Sequence, residues 1–195
     1  MKVKICGIMT ADDAAICESL GADALGFVHF PGRKRSIPID AIKEIAPTLG
    51  PMLTKVLVCA PRTSSEAIEM GTRSGVDAIQ LYTLDVNSAL RIKAQGFRVI
   101  RAFAPQNTAV AQFKNVADAI LFDGSVPGSG QAYDYSTIPI KCHKRVIIAG
   151  GLTVNNLHIA KALNPYALDV SSGVEQTTGK KDPKLVSEFI QRCKL

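Results

Sequence analysis

Short apolar segments alternate with longer amphipathic segments along the whole chain. Eight of the apolar segments are four to seven residues long and are bounded by Gly, Pro, Asn or Asp. They are rich in β-branched residues and too short for buried helices, so we predict that each is a β-strand. The predicted strands cover residues 2–5, 23–28, 54–60, 77–82, 97–103, 118–123, 145–150 and 166–171.

The amphipathic segments between these strands predict helices. The first, "TADDAAICESLG", begins with Thr10 as its N-cap and ends at Gly21. Six such segments cover residues 10–21, 39–50, 64–75, 85–96, 153–164 and 182–193. Residues 106–116 and 131–140 have weaker patterns, and the second contains a proline in "TIPIK". We therefore expect one or two short or irregular helices around residues 106–140.

Strands that alternate with helices predict an α/β fold with a parallel sheet and right-handed crossovers. Eight strands favour a closed (β/α)₈ TIM barrel over an open doubly wound sheet. A chain of 195 residues is slightly short for this barrel, so we expect its loops to be short. We expect one compact domain over residues 1–195.

The formal net charge is +6 and the sequence pI is near 9.1, which is compatible with nucleic-acid binding. However, the basic residues form no long run and no known nucleic-acid-binding motif, so we expect no nucleic-acid partner. Two basic clusters, "GRKRS" at 32–36 and "GKKDPK" at 179–184, suit small anionic ligands better. A solvated surface is the alternative for each cluster. A salt-dependent binding assay would test an RNA-binding role.

The five cysteines are scattered, and none forms a CxxC pair. This pattern predicts reduced thiols without a disulfide framework or a metal site. No apolar run reaches the ~18 residues of a membrane span, and "MKVKICG" has no signal-peptide character. We expect a cytoplasmic protein without a membrane partner.

Side chains alternate between the two faces of a strand. In the first strand Val3 and Ile5 share the outward face, so Lys4 and Cys6 point to the barrel axis. The same alternation turns Gln80, Tyr82, Asp123, Asp169 and Ser171 inward on the fourth, sixth and eighth strands. Polar groups near the C-terminal strand ends indicate an active site, because active sites of this fold lie at that face. A structural role is the alternative for each residue taken alone.

Two glycine-containing turns follow the seventh and eighth predicted strands. They read "AGGLT" at 149–153 and "SSGVE" at 171–175. Glycines at these two loops let backbone N–H groups approach an anion, and barrels often bind phosphate there. A tight turn is the alternative for either motif alone.

A series of short motifs runs through the chain in order. It begins with "KICGI", "GADALGF" and "KRSI", continues with "AIQL", "LFD" and "GSGQAYDY", and ends with "AGGL", "DVSSGVE" and "GKKDP". In content and spacing the series resembles the phosphoribosylanthranilate isomerase family of tryptophan biosynthesis. The resemblance covers nearly the whole chain, and "KICG" together with "DVSSGVE" carries most of its specificity.

The resemblance implies an enzyme that converts N-(5-phosphoribosyl)anthranilate to 1-(2-carboxyphenylamino)-1-deoxyribulose 5-phosphate by an Amadori rearrangement, without a metal or organic cofactor. It implies that Cys6 is the general base and Asp123 the general acid. It also implies that Arg35 receives the anthranilate carboxylate, which suits the planar guanidinium. We expect Gln80 and Asp169 to contact or orient the substrate. The oligomeric state is left open between monomer and homodimer.

The same resemblance, with the two glycine turns, assigns the phosphate to Gly150, Gly151, Ser172 and Gly173. The assigned chemistry requires a Cys6 thiol that ionises easily and an Asp123 carboxyl that keeps its proton. Lys4, on the same face as Cys6, is our candidate for favouring the thiolate.

The chain departs from the family pattern at three places. Tyr82 stands where the family commonly has a histidine, "PGSG" at 127–130 replaces "GGTG", and "YDY" at 133–135 replaces "FDW". Any binding role for position 82 is therefore open. The other two changes lie near Asp123 and leave the acid and base in place.

Other phosphosugar barrels are the main rivals. A ribulose-phosphate epimerase needs metal-binding His and Asp residues, for which His29, His143 and His158 are poorly placed. An indole-glycerol-phosphate synthase needs a catalytic Lys and Glu pair and a longer N-terminal segment. A dual-substrate isomerase that also serves histidine biosynthesis favours an acidic base where this chain has Cys6. A catalytically silent ligand-binding barrel would lack Cys6 or Asp123.

Overall fold

The computed structural model describes residues 1–124 and 130–195, and its centre is a closed barrel of eight parallel strands. Each strand pairs with its neighbours in chain order, and β1 pairs with β8 to close the barrel. The strands are β1 Lys2–Cys6, β2 Ala24–His29, β3 Thr54–Cys59, β4 Ala78–Leu81, β5 Arg98–Phe103, β6 Ala119–Phe122, β7 Val146–Ile148 and β8 Ala167–Val170. The predicted TIM-barrel fold is confirmed, with each strand inside or within one residue of its predicted range.

Helices cover the outside of the barrel. They are α1 Ala11–Ser19, α2 Ile39–Ile45, α3 Ser64–Ser74, α4 Val86–Ala94, α5 Leu157–Lys161 and α6 Pro183–Lys194. Four of them begin at a side-chain cap, which satisfies a backbone N–H that the first helical turn leaves free. Thr10 accepts from the Asp13 amide, and Asp182 accepts from the amides of Lys184 and Leu185. Thr63 and Asp85 cap α3 and α4 in the same way.

The segment around 106–140 is irregular, as its weak pattern predicted. A 3₁₀ helix at Thr108–Phe113 replaces the helix between β5 and β6, and two 3₁₀ turns, Tyr135–Thr137 and Ile140–Cys142, precede β7. Part of the "PGSG" motif, at 127–129, lies outside the described residues.

The helix predicted at 153–164 is shorter than expected, since α5 covers only Leu157–Lys161. Asn156 explains the difference. Its Oδ1 accepts from the Thr153 amide at 2.8 Å, and its Nδ2 donates to the Gly151 carbonyl at 2.9 Å. These bonds fix residues 153–156 as a turn and delay the start of the helix.

The sequence pattern did not predict a two-stranded antiparallel hairpin after β8. It consists of β9 Glu175–Thr177 and β10 Lys180–Lys181, and it turns through Gly179 in the left-handed region at φ 86°. The hairpin stands at the C-terminal mouth of the barrel and brings two charged side chains into the site described below.

The core has two layers, as expected for strands with helices on one face only. Inward-facing residues of the strands form the barrel interior, and Cys6 and Tyr82 pack against this layer. The interior residues are Val56, Val58, Ala78, Ile100, Ala102, Ala119, Leu121, Ile147, Ala149 and Ala167. Val3, Ile5, Ile79, Ile120 and Phe122 lie in the outer layer against the helices, as predicted. In the described part of the chain, no helix is both long and apolar enough to cross a membrane.

Candidate active site

A cavity of about 520 Å³ opens at the C-terminal ends of the barrel strands. Four strands, β1, β4, β6 and β8, and the loop after β2 contribute the ionisable groups that line it. Cys6, Arg35, Tyr82, Asp123 and Asp169 are the ionisable groups discussed below. The turns after β7 and β8 add Gly150, Gly151, Ser171 and Ser172 to the lining.

Cys6 is the last residue of β1 and is half-buried in the cavity wall. The chain turns immediately after it at Gly7, whose φ of 74° favours glycine. Cys6 is opposite Gly26 in the β1–β2 register. A Cβ on Gly26 would lie 2.8 Å from Cys6 Sγ and 2.9 Å from Lys4 Nζ. Gly26 therefore leaves the space that the Cys6 and Lys4 side chains occupy.

Lys4 and Asp169 form a buried ion pair beneath the cavity. They are partners in the β1–β8 register, and Lys4 Nζ lies 3.0 Å from both carboxylate oxygens. Burial lowers the pKa of Lys4, but Asp169 and Cys6 outweigh this effect and raise it. Burial in turn raises the pKa of Asp169 against the lowering effect of Lys4. The contact with both oxygens identifies the pair as ammonium and carboxylate.

The pKa of the Cys6 thiol is raised, which differs from the easily ionised thiol that we expected. Burial is the largest cause, and the Asp169 carboxylate acts in the same direction. Lys4 does lower the Cys6 pKa, by its charge and by a hydrogen bond, as proposed from the sequence. However, Lys4 is itself paired with Asp169, so its effect does not offset burial. The surroundings of Cys6 thus favour the neutral thiol.

Asp123 follows β6 directly and is 9% exposed. Its Oδ1 accepts from the Gly124 amide at 2.9 Å, and its Oδ2 accepts from the Tyr82 hydroxyl at 3.2 Å. Burial and the Asp169 carboxylate raise the Asp123 pKa, and these two hydrogen bonds and Lys4 lower it by less. The raised pKa is in the direction that a general acid requires.

Arg35 reaches the cavity from the loop after β2 and pairs with Glu175 of β9. Its Nε and Nη2 donate to the two oxygens of Glu175, each at 2.7 Å. Glu175 also accepts from Lys181 Nζ at 3.0 Å. Lys181 is fully buried and donates to the carbonyls of Cys6 at 2.7 Å and Ser171 at 3.3 Å.

This contact corrects the expectation that the "GKKDPK" cluster meets small anions. Lys181 is buried inside the protein, where its hydrogen bonds connect the end of β1 to the turn after β8. Lys180 and Lys184 are exposed.

The turns after β7 and β8 lie against each other at the cavity mouth. Gly150 and Gly151 have φ values of 88° and 64°. A Cβ on Gly151 would clash with the amide nitrogen of Ala132, so the neighbouring loop packs directly on this glycine. A Cβ on Gly173 would clash with the Leu152 carbonyl oxygen. Only glycine fits at these two contacts.

The cavity brings together most of the residues that the sequence singled out. Cys6, Arg35, Asp123, Asp169, Gly150, Gly151 and Ser172 line it, whereas the described lining includes neither Gln80 nor Gly173. Gln80 is buried at 1% exposure below Tyr82, and Gly173 supports the β7 turn. The Ser171 Oγ is buried and has no hydrogen-bond partner within the described residues.

Sequence reasoning missed the roles of Glu175, Lys181, Tyr135 and Asn156. Tyr135 donates to the Gly150 carbonyl at 2.7 Å and, with Asn156, fixes the turn after β7. The motifs "DVSSGVE" and "GKKDP" contain Glu175 and Lys181, but nothing in the sequence pairs them. Over residues 1–124 and 130–195, no group of His, Cys, Asp and Glu side chains is arranged to hold a metal ion.

Comparisons with known proteins agree on one family. The family model described as "N-(5'phosphoribosyl)anthranilate (PRA) isomerase" matches residues 3–192. A relative from Geobacter metallireducens, named N-(5'-phosphoribosyl)anthranilate isomerase, is 36% identical over 202 residues, which cover 100% of this chain and 99% of that protein.

Solved structures give the same result. The phosphoribosyl anthranilate isomerase of Thermus thermophilus has a TM-score of 0.89 at 36% identity and covers 98% of both chains. A second isomerase, in complex with reduced 1-(o-carboxyphenylamino)-1-deoxyribulose 5-phosphate, has a TM-score of 0.89 at 29% identity over 100% of this chain and 98% of that one. A structure from Thermotoga maritima shows monomers that were generated from a dimeric phosphoribosylanthranilate isomerase. Its TM-score is 0.87 at 29% identity, and the match covers 100% of this chain and 98% of that one.

Proposed function

This chain belongs to the N-(5'-phosphoribosyl)anthranilate isomerase family, and from that premise we propose that Cys6 is the general base and Asp123 the general acid of its rearrangement. The enzyme is an isomerase of tryptophan biosynthesis. Its substrate is a phosphorylated sugar joined to anthranilate, as the bound product analogue of a relative supports.

In the first step, the Asp123 carboxyl gives its proton to the furanose ring oxygen. The bond between C1 and the ring oxygen breaks, and the anthranilate nitrogen lone pair forms a protonated Schiff base at C1. In the second step, Cys6 takes the proton from C2 in its thiolate form, which Lys4 favours against the effect of burial. The C2–H electron pair forms the C1–C2 double bond, and the π pair of the C1–N double bond returns to nitrogen as its lone pair, which gives an enolamine. The enolamine becomes the ketone when C1 gains a proton and the C2 hydroxyl loses one. Each proton transfer contributes roughly 10²–10⁴-fold to the rate.

The placement of Cys6 and Asp123 in one cavity supports this assignment most strongly. They come from β1 and the end of β6, on different sides of the barrel, and both line the cavity of about 520 Å³. An acid and a base on separate walls suit two proton transfers at neighbouring atoms of one substrate. The raised pKa of Asp123, caused first by burial, supports its role as the acid.

The remaining walls support the rest of the substrate assignment. Gly150, Gly151 and Ser172 line the cavity and offer backbone donors for the phosphate, and the Ser171 hydroxyl, which has no partner among the described residues, adds a further donor. Arg35, held by Glu175 through Nε and Nη2, keeps Nη1 for the anthranilate carboxylate. Asp169 contributes through Lys4, which it orients beneath Cys6.

A substrate carrying deuterium at ribose C2 tests the two roles separately. In single turnovers of the parent enzyme, deuterium should slow the reaction, because Cys6 breaks the bond to C2. In Asp123→Asn the amide gives no proton to the ring oxygen, so ring opening should limit the rate and the isotope effect should shrink. The decay of substrate fluorescence measures both rates.

Asp118→Asn is the matched control, since Asp118 is near the start of β6 and pairs with Lys93 outside the cavity. It should keep the isotope effect of the parent. An isotope effect in Asp123→Asn as large as that of the parent would contradict the assignment of the acid, and a parent insensitive to deuterium would contradict proton removal from C2.

A further inference from the structure

Three polar side chains form a connected line from the interior of the barrel to the acid. Gln80 Nε2 donates to Tyr82 Oη at 3.3 Å, and the Tyr82 hydroxyl donates to Asp123 Oδ2 at 3.2 Å. Gln80 and Tyr82 alternate inward at the end of β4, so the strand itself sets their spacing.

One atom of this line is unsatisfied. Gln80 is 1% exposed, and its Oε1 has no hydrogen-bond partner among the described residues. A buried amide oxygen without a partner costs free energy, so its retention needs a reason. The two ends of the amide are nearly equivalent in shape, and a half-turn exchanges Oε1 for Nε2 beside the Tyr82 hydroxyl.

A general acid needs a partner that suits two protonation states, because its carboxyl loses a proton during turnover and regains it afterwards. A hydroxyl is both donor and acceptor. When Asp123 is a carboxylate, Tyr82 donates to Oδ2, and Gln80 Nε2 donates to Tyr82. When Asp123 is protonated, it donates to Tyr82 Oη, and the Tyr82 proton turns to Gln80 Oε1. Each state thus uses one end of the Gln80 amide.

Other polar groups near Asp123 are held by different partners. Lys4 Nζ donates to Asp169 on β8. The Tyr133 hydroxyl donates to the Phe122 carbonyl at 3.3 Å, and the Tyr135 hydroxyl donates to the Gly150 carbonyl. The Cys6 thiol is on the wall formed by β1. Tyr82 is therefore the side chain through which a hydrogen-bond change at Asp123 reaches Gln80.

We propose that Tyr82 and Gln80 are positioning residues that hold the Asp123 carboxyl in its reactive orientation in both protonation states. This inference rests on the proposed role of Asp123 as the acid. Tyr82 contacts Asp123, Gln80 contacts Tyr82, and both act through the acid. A histidine side chain also has a donor and an acceptor, so it would suit position 82 in the same way.

Titration of Asp123 by carbon-13 NMR of the aspartate carboxyls tests this proposal without turnover. The signal is assigned by its absence in Asp123→Asn. Burial raises the Asp123 pKa, and the hydrogen bond from Tyr82 lowers it. Tyr82→Phe removes the hydroxyl that makes this bond, so the Asp123 pKa should rise further. Gln80→Leu should shift it in the same direction by less. Tyr82→His should return it toward the parent value.

Kinetics give the second readout. Tyr82→Phe should lower kcat about tenfold, the effect of one hydrogen bond to a charged group, and leave KM within about twofold. Tyr133→Phe is the matched control, because it removes a hydroxyl near Asp123 that donates to a backbone carbonyl. The Asp123 pKa of this variant should equal that of the parent.

The proposal would be overturned if Tyr82→Phe had the same Asp123 pKa and the same kcat as the parent. It would also be overturned if Tyr133→Phe shifted the Asp123 pKa as much as Tyr82→Phe does. In those cases an inactive Asp123→Asn would still leave the acid assignment standing. An Asp123→Asn variant as active as the parent would instead overturn the proposed function itself.

Discussion

At the scale of single residues, Cys6 is under two opposing influences. Burial favours its thiol, whereas Lys4 favours the thiolate, and burial is the larger effect. The position of Lys4 relative to Cys6 therefore matters to the proposed base. Gly26 sets this position, because any side chain there would occupy the space beside both groups.

Gly26→Ala should impair catalysis more than stability. The added methyl group would lie 2.8 Å from Cys6 Sγ and 2.9 Å from Lys4 Nζ, so both side chains must move. We expect a loss of about 1–3 kcal/mol in unfolding free energy and a fall in kcat of about 10²-fold, since small displacements of reacting groups are costly. Steady-state kinetics and urea unfolding measure the two effects.

Gly71→Ala in α3 is the matched control, because its Cβ would meet Ile79 Cδ1 at 2.8 Å, far from the cavity. It should lose stability by a similar amount and keep its kcat. Equal kcat losses in the two variants would contradict a specific role of Gly26.

Strand alternation was enough to predict which residues of β1, β4 and β8 point inward. It was not enough for the pairing of those residues. Whether Lys4 meets Asp169 or Cys6 depends on the β1–β8 register and on burial, which are properties of the closed barrel. For the same reason, the sequence predicted the direction of the effect of Lys4 on Cys6 but not the larger opposing effect of burial.

At the scale of elements, the β9–β10 hairpin holds the cavity mouth together. Its Glu175 joins Arg35 of the β2 loop to the buried Lys181, and Lys181 joins the ends of β1 and β8. Burial raises the Glu175 pKa, but Arg35 and Lys181 outweigh this effect and lower it below 4.5. A carboxyl with a lowered pKa stabilises the fold above its unfolded pKa, and this contribution disappears as the pH falls through the folded value.

The stability of Glu175→Gln should therefore depend on pH less than that of the parent. At about pH 6 the variant should unfold more easily, because Lys181 and Arg35 lose their carboxylate partner. The difference in unfolding free energy between the parent and the variant should shrink as the pH falls below about 4.5, because Glu175 of the parent then takes up a proton. Urea unfolding at about pH 6 and about pH 3.5 measures it.

Glu188→Gln, which removes an exposed ion pair with Arg192, is the control and should change the unfolding free energy by less than about 1 kcal/mol. If the difference in unfolding free energy between the parent and Glu175→Gln stays constant or grows toward low pH, the pairing of Glu175 with Arg35 and Lys181 is contradicted.

The hairpin could not be predicted from its sequence. Its strands are three and two residues long, and "EQTTGKK" has no alternation of apolar and polar residues. Its charged residues are ordered by partners that lie far away in the chain, such as Arg35 and the Cys6 carbonyl. Local patterns report burial on one face of an element, and this element has no such face.

At the scale of the whole molecule, the sequence predicted the barrel well because each βα unit repeats the same pattern. Eight short apolar segments separated by amphipathic ones leave few topologies open. The least regular part, 106–140, was also the weakest in pattern, since 3₁₀ turns lack the regular spacing of an α-helix. A cytoplasmic location and the choice between monomer and homodimer stay predictions.

The barrel brings Cys6 and Asp123, the proposed base and acid, into one cavity only if all eight strands close in the observed register. The direct test of this account is the loss of N-(5-phosphoribosyl)anthranilate fluorescence on mixing with the enzyme, compared with Cys6→Ala. Cys142→Ala, at a half-buried cysteine outside the cavity lining, is the control. We predict saturable turnover by the parent and by Cys142→Ala, and a rate at least about 10²-fold lower in folded Cys6→Ala. No turnover by the parent, or equal turnover by Cys6→Ala, would contradict the account.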